Sequence, residues 1–109
     1  INLMKKTLSV DAKGLKDMQS GQQVQIIDVR EPTEYNSGHI ENSTNISLSC
    51  LLNEIDQFDF SKEMIMVCRA GVRSRLACEQ LIAEGYNFDL FNLEGGVIAW
   101  ENAGYKTKK

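Results

Sequence analysis

Met64-Ile65-Met66-Val67-Cys68-Arg69-Ala70-Gly71-Val72-Arg73-Ser74 is a run of apolar residues that ends at a cysteine and passes into a short loop with one glycine and two arginines. An amphipathic segment, Arg75 to Tyr86, follows and reads as a helix. It carries Ala77, Cys78, Leu81 and Ile82 on one face and Arg75, Glu79 and Glu84 nearer the other. Gly85 fits its C-terminal cap. A strand that delivers a cysteine into a tight loop at a helix N-terminus favours a thiolate. Unpaired backbone N–H groups point into the loop, and the helix dipole favours negative charge there. Cys68 is therefore expected to have a lowered pKa and to act as a nucleophile.

Working outward, Val24-Gln25-Ile26-Ile27-Asp28-Val29 reads as a second strand, and its Ile-Ile pair suggests burial on both faces, as in a parallel sheet. Phe88, Leu90 and Leu93 mark a third, with Phe91 on its opposite face. Thr7-Leu8 fits a short edge strand. Ser9 is a candidate N-cap for a helix from Val10 to about Gln19, closed by Gly21. Pro32 sets a turn or first helical position for a short helix, Thr33 to Ser37, that stops at Gly38. Asn45-Ile46 fits a very short strand. Ser47 or Ser49 can cap a further helix with Leu48, Leu51, Leu52 and Ile55 as its buried stripe, and Phe58 and Phe60 anchor the connection after it. Gly95-Gly96 opens a last helix, Val97 to Asn102, which carries Trp100, and Gly104 ends it.

Strands alternating with helices imply an α/β fold: a central, mainly parallel β-sheet with helices on both faces. Ligands of such sheets bind outside the carboxyl ends of the strands. Asp28, Arg30 and Cys68 all fall at strand C-terminal ends, so they can share one edge of the molecule.

The 109 residues suit a single domain, with its core at about residues 8–104. The chain is 42% hydrophobic and 25% charged, with a net charge of −3. That balance gives no reason to expect a nucleic-acid partner, and the basic end, Lys106, Lys108 and Lys109, reads as a solvated tail. The longest apolar run, Met64 to Cys68, falls far short of the roughly 20 residues that span a bilayer. Three cysteines, Cys50, Cys68 and Cys78, without regular spacing argue against a disulfide framework, and the chain has one histidine and no Cys-x-x-Cys pair. The expectation is a reducing, cytoplasmic setting with no metal or cofactor.

Five motifs in order carry a resemblance. They are Ile27-Asp28-Val29-Arg30; Glu34-Tyr35 with Gly38-His39-Ile40; Asn45-Ile46; Cys68-Arg69-Ala70-Gly71-Val72-Arg73; and Leu93-Glu94-Gly95-Gly96 with Trp100. Together, from about Leu8 to Gly104, they resemble the rhodanese homology domain, and the chain looks like a single-domain sulfurtransferase. The resemblance implies a three-layer α/β fold. It also implies that Cys68 takes a sulfane sulfur from a donor such as thiosulfate, becomes a persulfide, and passes the sulfur to cyanide in an assay or to a thiol or protein cysteine in cells. Asn42-Ser43 stands where the family often has Gly-Ala, and Ser47 where it often has proline.

The backbone N–H groups of Arg69, Ala70, Gly71, Val72 and Arg73 can serve a persulfide anion if the loop curls around it. Either arginine of the loop can hold an anionic donor; the resemblance favours Arg73. Cys68 to Arg73 is Cys-x4-Arg, whereas related phosphatases and arsenate reductases have a wider Cys-x5-Arg cradle for a tetrahedral oxyanion. The narrow loop disfavours that chemistry. Asp28, Arg30 and Glu34 read as an ion-paired support that can fix the loop or tune its charge. By resemblance His39 belongs to a structural turn. Cys78 reads as core; Cys50 falls in or beside a short helix and could in principle resolve a persulfide to a disulfide, although its spacing gives no support for that. The competing class is a non-catalytic rhodanese-like module that binds a protein partner; such modules typically lose the cysteine that this chain keeps.

Overall fold

The computed structural model describes residues 7–21, 23–86 and 89–109. Its sheet has five strands: β1 (Leu8–Val10), β2 (Val24–Asp28), β3 (Ser43–Asn45), β4 (Glu63–Val67) and β5 (Leu90–Leu93). They lie in the order β1-β5-β4-β2-β3, and every pairing is parallel. The helices are α1 (Ala12–Ser20), α2 (Pro32–Asn36), α3 (Val72–Ala83) and α4 (Gly96–Asn102), with a 3₁₀ helix over Leu48–Gln57.

Strand β4 is the spine. Met64, Met66 and Cys68 pack into one core with Ile27, Leu51, Ala77, Cys78 and Leu81, whereas Ile65 and Val67 pack into the other with Leu15, Ile40, Val97 and Trp100. Alternate residues of a strand face opposite sides, so a continuous apolar run is what a strand covered on both faces requires. The two cores bear out the expected layers: α3 and the 3₁₀ helix lie on one face, α1 and α4 on the other. Among the described residues no helix is long and apolar enough to cross a membrane.

Several boundaries differ from the sequence expectation. β1 extends to Val10 through parallel pairing with β5, so Asp11 rather than Ser9 caps α1, accepting from the Gly14 amide at 2.8 Å. α3 begins at Val72, earlier than Arg75, so Val72 and Arg73 form its first turn. β3 is Ser43–Asn45, which starts two residues and ends one residue before the expected Asn45-Ile46. Phe88 lies outside the described residues. Leu52 and Phe60, expected inside, are 43% and 48% exposed. Lys106, Lys108 and Lys109 are exposed, as a solvated end requires, but the backbone there is tied down. Trp100 Nε1 donates to the Lys106 carbonyl at 3.0 Å, and His39 and Lys108 exchange backbone hydrogen bonds at 2.7 Å.

Both departures from the family pattern keep the geometry. Asn42 takes φ 69°, a left-handed conformation that asparagine tolerates better than most side chains. Ser47 sits at φ −55°, inside the range that proline would fix.

Candidate active site at the C-terminal edge of the sheet

Beyond Val67 the chain leaves β4 and curls back on itself before entering α3. The turn needs Gly71 at φ 99°, where a Cβ would meet the Gly95 amide nitrogen at 3.2 Å. This curl puts Cys68 Sγ inside a ring of donors. The Gly71 amide donates to Sγ at 3.1 Å and the Ser74 amide at 3.3 Å, and Ser74 Oγ lies 3.2 Å away. Cys68 is 1% exposed. Burial pushes its pKa up, but the Ser74 hydroxyl, the Ser74 and Gly71 amides and the Ala70 amide outweigh it, and the net shift is downward. Cys78, equally buried without such a ring, is pushed up to about 12, chiefly by burial and then by Glu79. Two buried cysteines of one chain thus differ in acidity because the donors at Cys68 together outweigh its burial, whereas at Cys78 burial prevails over a single backbone donor.

Of the five loop amides expected around the sulfur, those of Gly71 and Ala70 act on Sγ itself. The Val72 and Arg73 amides lie in the first turn of α3, where a helix leaves N–H groups without intrahelical partners. Cys68 and Arg69 are clamped from behind. Their carbonyls accept from the Val97 and Ile98 amides of α4 at 2.9 and 3.1 Å. The arginines part company. Arg73 reaches Glu34 in a two-pronged contact of 2.7 and 2.9 Å. Arg69 is exposed and lines a separate cleft of about 160 Å³ with Arg30, Gly38, Val97 and Glu101.

Asp28 and Arg30 form a buried ion pair, 1% and 6% exposed at the side chains, with Arg30 Nη2 also donating to the Gly38 carbonyl at 2.8 Å. They shape the sheet edge rather than touch Cys68. Asn45 Nδ2 holds the Asp28 and Arg30 carbonyls, each at 2.9 Å. Glu34 does join the loop, because the first turn of α2 fixes it: the Glu31 amide donates to its carboxylate at 3.1 Å. His39 stacks on Tyr35 with ring centroids 3.8 Å apart, and its Nδ1–H donates to the Tyr35 carbonyl at 2.9 Å, so both its ring and its proton serve a turn. Cys50 is exposed on the 3₁₀ helix. Sequence reasoning gave no role to Ser74, one residue beyond the Cys68–Arg73 loop, or to Asn92 on β5, whose side chain meets Ser74. The residue type of Ser74 was the only signal available.

The Glu34 carboxyl is held down from 4.5 to about 2, first by the hydrogen bond from Arg73, against partial burial, and then by the Glu31 amide and the charges of Arg73 and Arg30. A depressed carboxyl pKa contributes stability that is whole above about pH 4.5 and is lost as the pH falls toward 2. Glu34→Gln is therefore expected to flatten the acid limb of a melting-temperature profile across that window. An unchanged limb would dissociate the Arg73 contact from stability.

A family model described as the rhodanese-like domain matches residues 11–103. The thiosulfate sulfurtransferase GlpE of Shewanella oneidensis is 35% identical over 98 residues, which span 90% of this chain and 94% of that protein. The crystal structure of a rhodanese-like domain protein from Staphylococcus aureus superposes with a TM-score of 0.80 at 33% identity, covering 94% of this chain and all (100%) of that one. A thiosulfate sulfurtransferase from Pseudomonas aeruginosa shares the fold, with a TM-score of 0.85 at 20% identity over 100% of this chain and 21% of its own. A five-stranded parallel sheet, a donor-ringed cysteine at its C-terminal edge and a family match over most of the sequence converge: the chain belongs to the rhodanese-like domain family.

Proposed function

We propose that this protein is a thiosulfate sulfurtransferase that works through a Cys68 persulfide. The observation that carries the reading is the ring of donors around Cys68 Sγ at the N-terminus of α3, in a six-residue loop closed by Arg73. The Cys68 thiolate attacks the outer sulfur of thiosulfate. The donor's S–S bond breaks, sulfite leaves with its electron pair, and Cys68 becomes Cβ–Sγ–S⁻. The amides of Val72 and Arg73 stand ready for the charge on the new outer sulfur. Arg73 keeps N–H donors beyond those used by Glu34 and can hold the sulfonate end of the donor. An acceptor nucleophile then takes the outer sulfur and returns the thiolate. Cyanide would give thiocyanate; a thiol or protein cysteine would become the persulfide. The cycle uses only donor, acceptor and this chain's own groups.

The name of the Shewanella relative supports thiosulfate as donor. The tight loop, which closes two amides onto a single sulfur, supports sulfur over phosphate. The three free cysteines suit a reducing, cytoplasmic setting.

The test is intact mass after thiosulfate, followed by cyanide. The wild type is expected to gain the mass of one sulfur atom and to lose it again as thiocyanate. A wild type that gains no sulfur would leave the non-catalytic interaction module as the reading. Arg73→Ala is expected to raise KM for thiosulfate roughly ten- to a hundredfold, the worth of a charge-assisted contact, while the variant stays folded. Unchanged steady-state parameters would remove Arg73 from the anion site.

A further inference from the structure

Asn92 is an oddity of the sheet. It lies in β5, is 6% exposed, and shares a face with Leu90, which is wholly buried. A buried amide is costly unless its groups are bonded. Here both are. Asn92 Nδ2 donates to the Gly71 carbonyl at 3.0 Å, and Asn92 Oδ1 accepts from Ser74 Oγ at 2.5 Å. The Gly71 carbonyl can only accept, so the amide nitrogen must face it and the amide oxygen must face Ser74.

Ser74 Oγ is also 3.2 Å from Cys68 Sγ. A hydroxyl has a single hydrogen, and two acceptors flank this one. When Cys68 is a thiol, its S–H can donate to Ser74 Oγ while the hydroxyl donates to Asn92, and no hydrogen is wasted. When the thiol has given its proton to solvent, Sγ needs donors, and the Ser74 hydroxyl can serve it only by leaving Asn92. In the persulfide the charge moves to the outer sulfur, and the hydroxyl is again free to face Asn92.

We propose that Asn92 is a positioning residue that competes with the Cys68 thiolate for the Ser74 hydrogen while anchoring the Gly71 carbonyl. Asn92 thereby moderates ionisation of the free cysteine and favours the states in which Sγ bears no charge. The inference rests on Cys68 being the reacting group. Its readout, ionisation of Cys68, does not depend on sulfur transfer.

The experiment is the pH dependence of Cys68 alkylation by iodoacetamide in the full chain, resolved by peptide mass so that Cys50 and Cys78 do not contribute. Ser74→Ala is expected to raise the Cys68 pKa. Asn92→Leu, which fills the same space without an acceptor, is expected to lower it by about half to one pH unit. Adding Asn92→Leu to Ser74→Ala is expected to give no such fall. A rise or no change in Asn92→Leu overturns the proposal, because loss of the Gly71 anchor alone would then account for the result. An equal fall in both backgrounds overturns it too. Should Asn92→Leu not fold, the wild type decides. The Asn92 side-chain amide resonance should move with the Cys68 titration and stay still in Ser74→Ala; an amide that does not move in the wild type overturns the proposal. A protein that shows this alkylation pattern but gains no sulfur from thiosulfate overturns the proposed function and leaves the role of Asn92 intact.

Discussion

Cys68→Ala is expected to lose roughly a thousandfold or more of thiosulfate:cyanide turnover and all gain of sulfur mass, while retaining the wild-type fold. The reason is chemical rather than structural. Removing one buried sulfur should cost no more than about 1–2 kcal/mol, and the backbone contribution to the clamp, the Cys68 carbonyl accepting from the Val97 amide, survives in alanine. The other cysteines give the contrast. Cys78 lies in the core between α3 and the sheet, and its pKa, pushed up to about 12, leaves it protonated at neutral pH. Cys78→Ala should cost about 1–2 kcal/mol in urea denaturation and leave turnover within about twofold. Cys50 is exposed, so Cys50→Ser should change neither. If Cys50→Ser instead abolished turnover while Cys68→Ala did not, the reacting sulfur would be on the 3₁₀ helix and the reading of the loop would be wrong.

The parts of the fold that sequence revealed are those governed by local rules. The run from Met64 to Val67 was legible because a strand buried on both faces needs no alternation. The glycine before α3 was legible because only a tight turn asks for it there. The Leu48–Ile55 stripe was read with α-helical spacing, which sets Leu48, Leu51, Leu52 and Ile55 on one face. The segment is a 3₁₀ helix, kinked at Glu54. At three residues per turn Leu48 and Leu51 stay aligned, whereas Leu52 rotates by a third of a turn toward solvent. The support of the site was harder to read. Asn92 acts on Ser74 and Gly71 across 18 and 21 positions of sequence, and Glu34 reaches Arg73 across 39. Such contacts exist only once the parallel sheet has brought its strand ends to one edge. Asp28 and Arg30 were legible as a pair because they are two residues apart, and they form a buried ion pair.

Gly96 is where the loop depends most on one missing side chain. It sits at φ 60°, and a Cβ there would lie 2.4 Å from both the Cys68 and the Arg69 carbonyl oxygens. These oxygens are fixed, because they accept from the Val97 and Ile98 amides of α4. Gly96→Ala can relieve the overlap only by backing α4 away from the loop, which breaks both bonds and releases the carbonyl side of Cys68. Gly85 and Gly104 separate this clash from the backbone strain. They lie at φ 92° and 90°, and nothing stands within 4 Å of an added Cβ. Gly85→Ala and Gly104→Ala should therefore cost only the strain of a left-handed alanine, about 1–2 kcal/mol each. Gly96→Ala adds overlap with backbone to the same strain and should cost about 3 kcal/mol or more. It should also slow alkylation of Cys68 at neutral pH, since the loop that holds the thiolate donors is no longer braced. Urea midpoints of the three variants, with alkylation rates measured on whatever remains folded, make the comparison. A Gly96→Ala variant no less stable than Gly85→Ala, with Cys68 as reactive as in wild type, would mean that α4 does not brace the loop.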